Sequence, residues 1–311
     1  MESIDQIALN FNPASLVLLN VVLGLVMFGV ALDLRWSAFE SILKNPRGPI
    51  IGLAAQFLIL PAVTFLLVEV WEVWPSIALG MMLVAACPGG NISNIMTYLA
   101  GGNTAMSVSM TAVSTAVAVF MTPFNITFWA SLYAPTASLL RDIALSPWML
   151  FGNVLLVLGL PLVLGMSIAH RFPALAWRLK TPFKYISVTF FILFVLGALS
   201  ANWQTFLSHV SLVAGLVFVH NLLALLSGYS AGKLLGLPDK DRRAVTIETG
   251  IQNSGLGLTL IFTFFIDPQT GLPLGGMALI AAWWGVWHII SGLSLAFAWN
   301  LYDRYHPAVS E

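Results

Sequence analysis

Charge is scarce in this chain. Only 8% of its 311 residues are Asp, Glu, Lys or Arg, and 59% are hydrophobic. Soluble domains carry about 25% charged residues, so the composition is that of a polytopic membrane protein. No polar stretch is long enough to form a soluble domain. Cysteine is nearly missing as well: Cys87 alone excludes an internal disulfide and any cysteine-only metal site. The 13 basic and 13 acidic residues cancel, which leaves no charge excess for nucleic acid. The amino-terminal residues include Glu2 and Asp5 but no Lys or Arg before the first apolar run. They therefore lack the basic region of a cleavable leader, and that run is expected to stay as a spanning helix.

Long apolar runs are what the chain does have. A run of about 20 apolar residues crosses the roughly 30 Å of hydrocarbon in a bilayer. The sequence predicts nine such spans, at 13–34, 48–69, 75–99, 104–132, 147–169, 184–203, 209–235, 243–266 and 274–301. With the amino terminus outside, Arg35, Lys44, Arg47, Arg171, Arg178, Lys180, Lys184, Lys233, Lys240, Arg242, Arg243 and Arg304 face the cytoplasm, and Arg141 alone faces outward. That bias sets the orientation, with the carboxyl terminus inside. Glu69, Glu72, Asp142 and Asp267 fall in the outer loops. Trp71, Trp74, Trp129, Tyr133 and Trp203 gather near the outer boundary as an interfacial belt.

Two spans break the apolar pattern. The third carries Cys87-Pro-Gly-Gly-Asn-Ile-Ser-Asn94, and the eighth carries Glu248-Thr-Gly-Ile-Gln-Asn-Ser-Gly255. They run in opposite directions under the orientation above. Interrupted segments in corresponding places of oppositely oriented halves point to a transporter binding site. Spans 1–4 then match spans 6–9, as inverted repeats of four and five helices. Ordinary kinked helices are the plain alternative for either segment alone.

The polar residues sort by chemistry. Glu248 lies at membrane depth, where a charge costs a few kcal/mol and needs a partner or a task. Hard alkali cations prefer carboxylate, hydroxyl, amide and main-chain oxygens. Asn91, Ser93 and Asn94 follow a glycine pair, and Ser107 and Thr111 are four apart on one helical face. With Glu248 they can form an all-oxygen cage. Hydroxyls bonded back to their own helix are the alternative; it is preferred for Ser109, Ser114 and Thr115 and left open for Ser107 and Thr111. Gln56 is a cation ligand or, preferably on the residues alone, an interhelical hydrogen bond. Gln252 and Asn253 adjoin Glu248, and the Asn253 amide can meet a substrate carboxylate or hydroxyl. His288 can line a cavity, while His220 reads as a packing group. No histidine spacing makes a transition-metal site.

Three segments carry a resemblance: Ala86–Ala100, Thr246–Gly255 and Val286-Trp-His-Ile-Ile-Ser-Gly292. Together they resemble the bile acid:sodium symporter family, and within it the bacterial homologues of the ileal bile acid transporter. The resemblance runs from about residue 14 to about residue 300. It implies a single transmembrane transporter domain with two parts. The panel covers about 13–47 and 147–207 with part of the second half's first helices, and the core covers about 48–132 and 209–301, with two broken helices crossing in the core. It further implies two sodium ions. One is held by Ser93, Asn94, Ser107, Thr111 and Glu248. The other is held by Gln56, Glu248, Gln252 and the main-chain oxygens of Thr249 and Ile251. Asn91, Asn253, Ser254 and His288 would face the substrate. Two departures stand out. Many bacterial relatives have ten spans rather than nine. Their Trp-His-Asn is here Trp287-His-Ile289, which removes a polar substrate contact.

The expected activity is sodium-coupled uptake of an organic anion by alternating access, in a monomer in the cell membrane and without enzymatic chemistry. Bile acid-like molecules, steroid conjugates and small carboxylates such as pantoate are the substrate candidates. Alternatives are a proton-coupled or sodium-independent carrier with Glu248 titrating, an arsenite exporter using Cys87, and a membrane sensor. A hydrolase lacks support, since no serine–histidine or paired-aspartate arrangement stands out.

Overall fold

The computed structural model describes residues 25, 28–29, 31–32, 36–142, 147–201, 203–267 and 274–306. The chain is α-helical, and no strand forms among these residues. Among the described residues, five helices have the length and hydropathy to cross a membrane. They are Arg47–Trp71 (α2), Thr104–Leu132 (α5), Val154–Arg171, Leu207–Leu234 and Gly275–Tyr305 (α12). The third lies in α7, Pro147–Arg171, and the fourth in α9, Trp203–Leu234. These correspond to expected spans 2, 4, 5, 7 and 9. Trp36–Lys44 (α1) precedes α2, and Ala134–Asp142 (α6) follows α5 where an outer loop was expected. Expected span 6, at 184–203, coincides up to residue 201 with the later part of a longer helix, Pro173–Ala201 (α8), which also extends through part of the expected inner loop. Expected span 1 lies almost wholly outside the described residues.

Expected spans 3 and 8 are each two short helices. The first pair is Pro75–Ala86 (α3) and Ile92–Leu99 (α4); the second is Asp239–Gly250 (α10) and Ser254–Phe264 (α11). Local chemistry sets each end. Pro75 occupies the first turn of α3, where its missing N–H leaves nothing unsatisfied. Cys87 precedes Pro88, whose ring disfavours the helical region for its neighbour. Cys87 is accordingly extended, with φ −72° and ψ 156°, and α3 stops. Helix α10 starts after Pro238 with Asp239 and Asp241 in its first turn, where negative charge suits the positive helix end. It ends when Ile251 turns extended at φ −108° and ψ 90°. The Asn253 side-chain oxygen Oδ1 then accepts from the Leu256 amide at 3.0 Å and caps α11.

Helix α3 is apolar on all sides and buried from Ser76 to Ala86, as expected of a helix at the centre of a bundle. It sits against α12 at Gly80, where a Cβ would come within 2.8 Å of the Met277 backbone. A side chain there would push the two helices apart.

Hydrogen bonds tie several helix ends together on one side of the molecule. Arg47 at the start of α2 donates to Leu235 O just past α9, at 2.7 Å. Asn103 caps α5 through the Met106 amide and donates to Asp241 of α10 at 2.7 Å. Arg243, 5% exposed, joins three helices. It donates to Ala100 O at 2.8 Å and grips Asp303 of α12 with two bonds of 2.6 Å. It also reaches Asp239 at 2.7 Å. A planar guanidinium makes such a fork and an ammonium cannot. Arg243→Lys should therefore lower stability by about 1–2 kcal/mol, tempered by the half-exposed Asp303. Thermal melting of the purified protein checks this; an unchanged midpoint would show that the fork contributes nothing.

Candidate functional site

The two breaks meet. Gly89 and Gln252 form an isolated antiparallel bridge. Around it, Gly90 N donates to Ile251 O and Asn253 N donates to Pro88 O, both at 2.8 Å. Each break thus satisfies backbone groups that the other's interrupted helix leaves open, which membrane depth makes obligatory.

Glu248 sits two residues before the end of α10 and is 1% exposed. Ser93 of α4 donates to its Oε2 at 2.6 Å, and Thr111 of α5 donates to its Oε1 at 2.7 Å. Ser107 lies 3.3 Å from Oε2 and donates to Asn94 Oδ1 at 2.9 Å. Ser93, Asn94, Ser107, Thr111 and Glu248 are therefore one cluster, drawn from three helices. Protons are short in it. Thr111 has one hydroxyl hydrogen, yet three acceptors surround it: Glu248 Oε1, Asn94 Oδ1 at 3.2 Å and Ser107 O at 3.0 Å. Oxygens in excess of the hydrogens between them are suited to a hard cation. No group of three or more His, Cys, Asp or Glu that could hold a metal ion forms among the described residues.

A second polar set adjoins the first across the bridge. Helix α2 contains a π turn at Ala55–Ile59, and Gln56 projects from it. Gln56 Nε2 donates to Cys87 O at 3.0 Å and to Gln252 Oε1 at 2.7 Å. Gln252 Nε2 donates to Thr249 O at 2.7 Å, and Ile251 O accepts from Gly90. Gln56, Gln252, Thr249 and Ile251 thus belong to one hydrogen-bonded set at the bridge, with Gln56 Oε1 buried and unpartnered.

The four residues expected to face substrate are placed differently from one another. Asn91 is exposed at the start of α4. The Asn253 side-chain oxygen is engaged as the α11 cap. Ser254 is buried, and its hydroxyl lies 2.8 Å from where a Gly285 Cβ would be. His288 is buried one turn beyond Gly285, with its Nδ1 unpartnered. Ser109, Ser114 and Thr115 bond back to carbonyls of their own helix. His220 pairs with Thr64 across α9 and α2 at 2.7 Å.

Sequence reasoning missed three contributors. A Cβ on Gly89 would stand 2.2 Å from Glu248 Oε1, so only glycine admits the carboxylate here; the Gly-Gly pair was the available signal. Asn221 donates to Gly250 O at 2.8 Å and holds the end of α10. Thr97 donates to Ser107 at 3.2 Å and aims it.

The profile of the Sodium Bile acid symporter family matches residues 20–209. This chain belongs to that family. It is 34% identical over 282 residues to the uncharacterized sodium-dependent transporter YocS of Bacillus subtilis (strain 168), covering 91% of this chain and 83% of that one. It is 31% identical over 268 residues to the ileal sodium/bile acid cotransporter of Homo sapiens, covering 84% and 74%. A probable chloroplastic sodium/metabolite cotransporter, BASS1 of Oryza sativa subsp. japonica, is 30% identical over 281 residues, covering 90% and 65%. Membership in this family, with several apolar helices, makes the chain a multi-pass membrane protein.

The contact at Gly89 gives a test within this family member. Gly89→Ala should destabilise by about 1–3 kcal/mol through overpacking. Adding Glu248→Ala should relieve the clash, so the pair should show coupling in a double-mutant cycle of melting temperatures. Additive losses would mean that the glycine serves backbone conformation alone.

Proposed function

We propose that the chain is a sodium-coupled symporter that takes up an organic anion by alternating access. The observation that carries this is the buried Glu248 carboxylate amid hydroxyl and amide oxygens with too few hydrogens. Two sodium ions are the cargo that drives uptake. The first sits among Ser93, Asn94, Ser107, Thr111 and Glu248. The second sits among Gln56, Glu248, Gln252 and the carbonyls of Thr249 and Ile251, where the negative end of α10 favours a cation. Filling both sites neutralises Glu248 and fixes the meeting of the two breaks. The positive ends of α4 and α11 then receive the anion, aided by Asn91, Asn253, Ser254 and His288. Entry of positive charge is favoured by about 2.3 kcal/mol per charge per 100 mV of membrane potential.

Nine spans in inverted repeats of four and five suit this reading. The exchanged hydrogen bonds at the breaks, Gly90 to Ile251 and Asn253 to Pro88, support it, since the proposed two-fold axis would interchange them. The core is assigned to about 48–132 and 209–301, and the panel to about 13–47 and 147–207. The amino terminus is outside and the carboxyl terminus inside. Arg47, Arg243 and the loop ends they bind lie together, which supports a single basic face toward the cytoplasm. The working unit is a monomer in the cell membrane. Substrate candidates are bile acid-like molecules, steroid conjugates and small carboxylates such as pantoate.

Proteoliposomes loaded with potassium test this with radiolabelled taurocholate, a sulfated steroid and pantoate. An inward sodium gradient should raise uptake of one of them at least tenfold over choline, and Glu248→Ala should abolish the increase. Uptake indifferent to sodium, or unchanged in Glu248→Ala, would overturn the proposal.

A further inference from the structure

The π turn that presents Gln56 has a cause and a support. Pro61 has no N–H, so Phe57 O, four residues earlier, loses its normal helical donor, and the proline ring would crowd that carbonyl. The chain relieves the crowding by widening: Leu60 N bonds Ala55 O, five residues back. π turns of this kind recur at functional sites because they redirect one side chain. Here the redirected side chain is Gln56, which reaches Cys87 O and Gln252 Oε1.

The stranded Phe57 carbonyl is taken by another helix. Asn125 of α5, 2% exposed, donates to it from Nδ2 at 3.0 Å. Trp129, one turn further along α5, donates from Nε1 to Asn125 Oδ1 at 3.0 Å. That bond fixes which way the Asn125 amide points, since its oxygen must face the indole and its nitrogen the carbonyl. Three residues before Asn125, on the same face, Thr122 donates to Ala86 O at 2.7 Å. Ala86 is the last residue of α3 and adjoins Cys87, the carbonyl that Gln56 binds. One polar face of α5 therefore holds both the turn that carries Gln56 and the helix end that Gln56 grips.

We propose that Asn125, oriented by Trp129, is a positioning residue for the second sodium site, holding the π turn open so that Gln56 faces that site, with Thr122 fixing the opposite wall. This rests on the reading above that Gln56 ligates sodium. Asn125 touches no ion itself. It acts as outer partners of metal ligands do, whose loss typically costs 10- to 100-fold in ion affinity.

Full-length protein in detergent tests this, with melting temperature followed as sodium chloride replaces choline chloride at constant ionic strength. The sodium concentration giving half of the stabilisation should rise about tenfold in Asn125→Leu. It should rise likewise in Asn125→Asp, which keeps the bond from Trp129 but loses the donor to Phe57. A structural role is separated by Pro61→Ala, which restores an N–H that Phe57 O can accept while closing the turn. Asn125→Leu with Pro61→Ala should regain melting temperature without sodium yet keep the weak sodium response. Joint recovery of both, or a wild-type sodium midpoint in Asn125→Leu and Asn125→Asp, overturns the proposal. Gln56→Ala is the control on the underlying reading and should show the same weakened response. If wild type does not distinguish sodium from choline, or Gln56→Ala matches wild type, that reading fails first and takes the proposal with it.

Discussion

A carboxylate buried in an apolar bundle has to be matched, and here the match is a set of neutral oxygens. Glu248 receives Ser93 and Thr111 within 2.7 Å and has Ser107 close by. Hydroxyls lower the cost of burying the charge but do not cancel it. On the proposed reading, the remaining negative charge, together with the carbonyl ends of nearby helices, is what would attract a cation. Gly89 belongs to the same constraint, since any side chain there would occupy the carboxylate's place.

The second requirement is that two helices be broken side by side without leaving bare backbone in lipid. The bridge between Gly89 and Gln252 meets part of it. Side-chain amides meet the rest: Gln56 takes Cys87 O at the end of α3, and Asn221 takes Gly250 O at the end of α10. The proposed inverted repeat accounts for this pairing, because α2 and α9 would be equivalent helices, each supplying an amide to the break in its own half. Under the proposed function, ligand site and structural repair would be the same set of atoms. Such a site would couple ion occupancy to helix geometry directly, since moving either break must disturb Gln56, Gln252 or Glu248.

Much of this was legible in the chain. Long apolar runs give spans by length alone, and a polar, glycine-rich interruption in two of them marks the breaks. Charge rarity made Glu248 conspicuous. Ser107 and Thr111 share a face by spacing, although spacing could not say whether that face met Glu248. Other features depended on contacts no local pattern encodes. Gln56 does bond across helices, as the residues alone favoured, but its spacing could not say that it would do so at both breaks. Pro61 signalled a distortion, but not that a π turn would result or that Asn125 would receive the freed carbonyl. The use of Asn253 as the α11 cap follows from helix-start chemistry, which its place beside Glu248 had overshadowed. The helical stretch of α8 beyond its apolar portion was hidden because Lys180, Pro182 and Lys184 read as a loop.

Direct binding of radioactive sodium to the purified protein, at fixed ionic strength in choline, tests the central claim without any need to know the substrate. Wild type should bind two sodium ions per chain that excess potassium fails to displace, and Glu248→Gln, which keeps the shape but removes the charge, should bind none at the same concentration. Saturable sodium binding that survives intact in Glu248→Gln, or no binding above the choline background in wild type, would contradict the account.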